Sequence, residues 1–129
     1  MARLVCVLGA VLVLGGLAHS AGIVRFYVDS GVPEANRVLL DVWVAEAQLL
    51  AGGLYLAAYR ARRTGAPWRA LSVFGALAIM SLAVPMLPVL ASRAPWPFRV
   101  PLIVYIALST FILARAVTLR RAAAHTVKV

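Results

Sequence analysis

The sequence predicts an all-α integral membrane protein, a four-transmembrane-helix antiparallel bundle with its N and C termini cytoplasmic. Three observations carry that expectation. Of the 129 residues 64% are hydrophobic and the mean hydropathy is +0.94, which is too apolar for a domain that folds in water. The apolar residues fall into four runs, 4–24, 38–59, 70–91 and 100–119, each near the ~20 residues that a helix needs to cross the hydrocarbon of a bilayer. The basic residues alternate between two sides: Arg3, Arg60, Arg62, Arg63, Arg69, Arg120, Arg121 and Lys128 collect on one, and Arg25, Arg37, Arg93 and Arg99 on the other. The richer side is cytoplasmic by the positive-inside rule, which puts both ends of a four-span chain there. Residues 1–129 read as a single membrane domain.

The first run follows Arg3 and continues to Val24. Ala18, His19 and Ser20 before Ala21 have the small-x-small form of a signal-peptidase site, so a cleaved signal peptide is the alternative to a retained span. The run's length favours the span, since the apolar part of a signal peptide is usually about 7 to 15 residues. Cys6 is the only cysteine, which excludes an internal disulfide and a cysteine-based metal site.

Asp29, Ser30, Gly31 and Pro33 supply turn chemistry before the second run, and Pro33 with Glu34 suits the first turn of a helix that begins before Val38. The second run, VLLDVWVAEAQLLAGGLYLAAY, carries Asp41, Glu46 and Gln48 inside an otherwise apolar span. At about 100° per residue Asp41, Ala45, Gln48, Gly52, Tyr55 and Tyr59 fall within roughly 40° of one line. Glu46 lies about 140° from Asp41, on a second line with Leu49, Leu50, Gly53 and Ala57. Both lines are expected to pack against protein, because small residues allow close helix approach and polar groups bond across helices in membranes.

A short basic hairpin, RARRTGAPWR, separates the second and third runs. The third run contains Pro85 and Pro88, expected to kink its last turns by removing backbone donors. The segment SRAPWPFR makes the next turn, and Arg115 in the fourth run lies within snorkelling reach of the cytoplasmic interface. Trp43, Trp96, Phe26 and Phe98 near the outer boundary, with Tyr59 and Trp68 near the inner one, match interfacial aromatic belts.

A carboxyl group placed in hydrocarbon costs about 2.5 to 3.5 kcal/mol on insertion scales, which makes the acids the first functional candidates. Taking about 1.5 Å of rise per residue, His19, Asp41, Glu46 and Tyr105 lie about five, three, eight and five residues from the outer ends of their spans. All four can open towards one outer-leaflet cavity, and an imidazole beside a carboxylate is a usable acid/base pair. Glu46, His19 and Asp41 are therefore the candidate catalytic residues, and Gln48, Tyr55, Tyr105 and Trp43 the candidate substrate-contacting ones. Each has a structural alternative: Asp41 pairing with Arg37 one turn earlier, Glu46 buried and paired with His19, and interhelical hydrogen bonds for Gln48 and for Tyr105 with Ser109. Gly15-Gly16 and Gly52-Gly53 read as close-packing points. No phosphate-binding glycine pattern, zinc-binding helix motif, paired-cysteine motif or nucleophile elbow is present, so no cofactor and no metal is expected.

The net charge of +9 is distributed over the ends of the runs and forms no continuous patch, which argues against nucleic acid and for anionic lipid head groups as its counterpart. At EAQLLAGGLYLAAYRARR, followed by a span ending in P-x-x-P, the chain resembles the small four-helix bacterial membrane proteins of the DoxX-like group. The resemblance covers most of the chain in layout. It implies a bacterial plasma membrane and an accessory role beside partner proteins, and transfers no functional residues. Glu46 stands where that group more readily has a basic or neutral residue. The small multidrug transporters are similar only in format, four short spans with one membrane glutamate, which here lies in the second span.

Three functions fit the sequence. The first is a non-enzymatic helper or complex component, with a partner membrane protein or a second copy. The second is an acid/base enzyme, isomerase- or cyclase-like, acting on a lipophilic small molecule with Glu46 or Asp41 and His19. The third is an oligomeric proton-coupled transporter of a small solute.

Overall fold

The computed structural model describes residues 2–22, 34–65, 67–82 and 96–126, which form four helices and, among the described residues, no strand. They are α1 (Ala2–Ser20), α2 (Glu34–Thr64), α3 (Trp68–Met80) and α4 (Trp96–Thr126). Three stretches, Ala2–Ser20, Val38–Thr64 and Arg99–Thr118, are long and apolar enough to cross a membrane. The 13 residues of α3 are apolar but cover about two thirds of the ~30 Å hydrocarbon core at 1.5 Å per residue. The expected third span continues into residues 83–91, so the proline kink at Pro85 and Pro88 lies outside the described residues. So do the turn at 25–33 and Arg93.

Helix ends follow backbone chemistry. α1 stops at Ser20, short of the expected 24, where Gly22 takes a φ of 67° and donates its N–H to the His19 carbonyl at 3.0 Å. α2 stops at Thr64, and Gly65 follows with a φ of 74°. Both glycines adopt the left-handed conformation that closes helices at little steric cost. α2 begins at Glu34, before Val38 as the sequence predicts, and α3 opens at Pro67, whose carbonyl accepts from Ala70 N–H at 3.1 Å. α4 begins at Trp96, inside the segment expected to be a turn, and carries Pro101 near its start. A proline so close to the N-terminus removes few helical bonds, and the helix passes through it.

Successive helices run antiparallel. Gly9 of α1 faces Tyr55 and Leu56 of α2, while Gly16 faces Ala45 and Leu49, so the two glycines set the crossing at both ends. Gly75 of α3 comes against Ala51 and Tyr55 on another side of α2. The core is Leu8, Leu12, Val44, Ala51, Tyr55, Ile79, Leu82 and Ile112, with a large share of alanine on α2. Small residues at these contacts bring backbones close, which is how helices gain dispersion energy when the surroundings are already apolar. Large apolar side chains cover the exterior as well: Leu14, Leu39, Leu50 and Phe74 are each about 60% exposed or more. Helices apolar on all sides are those of a large core or a membrane span, and three stretches here have the length and composition of spans.

The antiparallel order separates two chemically different ends. Arg3, Arg60, Arg62, Arg63 and Arg69 gather where α1 begins and α2 turns into α3. His19, Asp41 and Glu46 lie towards the opposite end.

Candidate functional site

The last turn of α1 and the first half of α2 enclose an open cleft of about 550 Å³, lined by His19, Ser20, Asp41, Val42, Ala45 and Glu46 among others. The antiparallel register of α1 and α2 places His19 opposite Asp41, and the Nδ1 of His19 lies 3.7 Å from the Oδ1 of Asp41. The imidazole is 10% exposed and the carboxylate 26%. Ser20 Oγ donates to the Gly16 carbonyl at 2.9 Å, which turns its hydroxyl back onto its own helix.

Glu46 sits one turn deeper, and it does not enter the bundle. Its side chain is exposed and, among the described residues, makes no hydrogen bond or ion pair. Of the two acids expected beside His19, Asp41 is the one in contact with it. Glu46 is shared by the cleft and by a second open groove of about 450 Å³ between α2 and α3, lined by Leu39, Trp43, Ala47, Leu50, Ala78 and Ser81. Of the second line of α2, expected to pack against protein, Leu49 packs against Gly16 of α1, while the rest faces outwards: Leu50 is 59% exposed, Gly53 and Ala57 are exposed, and a Cβ on Gly53 would meet nothing within 4 Å.

The first line of α2 is the packing face. Ala45, Gln48, Gly52 and Tyr55 are all buried. Gln48 lies against Gly15 of α1, where a Cβ would come within 2.9 Å of Oε1. That Oε1 has no hydrogen-bond donor among the described residues, so the expected interhelical bond does not form. Tyr55, fully buried, donates its hydroxyl proton to Ser109 Oγ at 3.0 Å and ties α2 to α4. Ser109 therefore makes the interhelical bond expected of the Tyr105–Ser109 pair, while Tyr105 packs half-buried against the core. Trp43, 47% exposed, lines the groove beside Glu46. Of the seven candidates, the structure brings together His19, Asp41 and Glu46 at one cleft and Trp43 beside them. Gln48, Tyr55 and Tyr105 do not line that cleft.

Trp68, expected in the inner aromatic belt, also carries cations. Arg62 and Arg69 lie 5.3 and 5.6 Å from the centroid of its ring. Nearby, Arg63 stacks on Tyr59 at 5.1 Å and donates to its hydroxyl at 2.8 Å. The signal was legible as arginines spaced about the helix ends with an aromatic residue between them. Among the described residues no group of three or more His, Cys, Asp or Glu side chains is placed to hold a metal ion.

Compared with protein families, with characterised proteins and with solved structures, the chain matches none of them.

Proposed function

We propose that this chain is a non-enzymatic component of a membrane complex, a four-span bundle with both termini cytoplasmic that presents the outer line of α2 to another transmembrane helix. The DoxX-like layout of the sequence, and the bacterial plasma membrane it implies, belong to this proposal. The observation that carries it is the exposed Glu46 side chain on the outside of the bundle. A carboxyl group at that depth is costly against lipid tails and is relieved by a hydrogen-bonding group from a neighbouring helix. Gly53, two turns further along, leaves room for the close backbone approach that such a contact needs.

The test is a photo-crosslinking amino acid at position 50, read in native membranes for the wild type, Glu46→Gln and Glu46→Leu. The expected result is a discrete protein adduct, kept in Glu46→Gln, whose amide still bonds, and lost in Glu46→Leu. Adducts with lipid alone in the wild type would overturn the assignment. If Glu46→Gln also abolished proton flux in reconstituted vesicles while the adduct persisted, the complex would be a proton-coupled carrier.

The cleft supports a second reading, an acid/base enzyme acting on a lipophilic small molecule. Asp41 lies where it can orient the imidazole of His19, and Glu46 borders the same space, so two proton-exchanging groups face one volume. Under this reading Asp41→Asn and His19→Gln each reduce turnover, and Glu46→Gln reduces it with the crosslinked adduct unaffected.

A further inference from the structure

The basic end holds a second feature that the assembly reading does not use. Between the start of α3 and the later turns of α4 runs a groove of about 680 Å³, walled by Val73 and Phe74 on one side and Ala116 and Val117 on the other. Its mouth is formed by Trp68 and Arg69. Trp68 packs against the core and carries two guanidinium groups, Arg69 from its own helix and Arg62 from the end of α2. Stacking on a fixed indole limits the rotamers of both arginines and leaves their N–H edges available.

These charges have no acidic counterpart nearby. The chain has four acids, Asp29, Glu34, Asp41 and Glu46, and no Asp or Glu follows residue 46. The arginines at this end must find anions outside the chain. The groove below them is apolar and opens sideways: Phe74 is 60% exposed and Val117 41%.

We propose that this groove binds one anionic phospholipid, with an acyl chain along Val73, Phe74 and Val117 and the phosphate held at Arg69, the arginine that lines it. The occupant follows from charge and shape together. A phosphate accepts from planar guanidinium groups in paired hydrogen bonds. The apolar trough directly beneath needs a ligand whose hydrocarbon is attached to that phosphate. Basic pockets between helices on the cytoplasmic side have the geometry that lipid head groups use.

The test uses a single-tryptophan protein, Trp43→Phe with Trp96→Phe, reconstituted into equimolar phosphatidylcholine and phosphatidylglycerol with bromine on the acyl chains of one lipid or the other. Bromine quenches indole at contact range, so Trp68 reports which lipid occupies the groove. Brominated phosphatidylglycerol is expected to quench Trp68 more strongly than brominated phosphatidylcholine. Arg69→Gln should lower the relative affinity for phosphatidylglycerol about fivefold, the loss corresponding to one basic contact at an anionic surface. Ala70→Leu, which adds bulk at an exposed position on the groove wall, should lower quenching by either lipid. Arg60→Gln, exposed and outside the groove, should change nothing, with circular dichroism verifying that every variant keeps its helices. Equal quenching by the two lipids in the parent protein would overturn the proposal. An effect of Arg60→Gln as large as that of Arg69→Gln would overturn it too, because the preference would then come from the diffuse charge of the whole end.

Discussion

Gly52 and Gly53 are neighbours in sequence and should respond in opposite ways to the same change. A Cβ built on Gly52 comes within 2.7 Å of the Gly9 carbonyl oxygen and 2.8 Å of both Val13 N and Val13 Cγ2, while one on Gly53 meets nothing within 4 Å. Two of the three close atoms at Gly52 are backbone, so no side-chain rotation relieves them. The shortest contact falls about 0.7 Å inside the range of ordinary van der Waals contact, which begins at 3.4 Å. α1 and α2 must separate by a comparable distance, and a gap of ~0.5–1 Å forfeits roughly a quarter to a half of each pairwise dispersion contact along the seam.

Overpacking of this kind costs about 1–3 kcal/mol. Replacing a helical glycine by alanine returns ~0.5–1 kcal/mol at either position, so the difference between the two variants isolates the overlap. Gly52→Ala should lower stability relative to Gly53→Ala by about 1–3 kcal/mol, and Gly53→Ala should equal or exceed the wild type. The assay is reversible unfolding in maltoside micelles by added dodecyl sulfate, followed by far-ultraviolet circular dichroism. Dilute micelles remove any partner helix from the Gly53 face. Equal stability of the two variants would refute the α1–α2 register, and with it the placement of His19 opposite Asp41.

Other perturbations test separate parts of the structure. Tyr55→Phe removes the buried bond to Ser109 and should cost ~0.5–1.5 kcal/mol in the same assay. Ser109→Ala should cost a similar amount, and the double variant less than the two together, since they share one bond. A cycle of His19→Gln and Asp41→Asn should give a coupling of about 0.5–3 kcal/mol, and additive effects would mean that the 3.7 Å contact carries no energy. In a Cys6→Ser background, Leu50→Cys should react with a lipid-soluble maleimide and Ala51→Cys should resist it, because position 50 is 59% exposed and position 51 is fully buried. Equal labelling would show that α2 is rotated from the described orientation.

Which face of α2 is buried was legible in the sequence, because polarity and size changed together along one line. Asp41, Ala45, Gln48, Gly52 and Tyr55 stand out from their apolar neighbours, and Ala45, Gln48, Gly52 and Tyr55 are buried. The outward line was misread for a physical reason. In a soluble helix an exposed Gly53 or a charged Glu46 would simply face water, whereas in a span each argues for contact with protein, and sequence alone does not say whether that protein is the same chain. The similar depth of His19 and Asp41 was legible, and their contact is then fixed by the offset between two antiparallel helices, which Gly9, Gly16 and Gly52 determine through backbone approach. Helix ends were legible where a glycine takes positive φ after α2 and obscure at α4, where the segment 92–99 read as a turn although the helix already begins at Trp96.

The distribution of charge joins the two sites. All four acids lie between residues 29 and 46, and the antiparallel fold places Asp41 and Glu46 towards one end and most of the described arginines at the other. Asp41 and Glu46 precede Arg60 on α2 by about 28 and 21 Å at ~1.5 Å of rise per residue, too far for direct pairing. Each end must therefore satisfy its charge locally. At one end His19 lies beside Asp41, and Glu46 faces outwards. At the other, Arg62 and Arg69 stack on Trp68, Arg69 lines an apolar groove, and the proposed anion is a phospholipid. Separation of charge along the helices is thus the common ground of the two proposals, a protein contact at Glu46 and a lipid contact at Arg69.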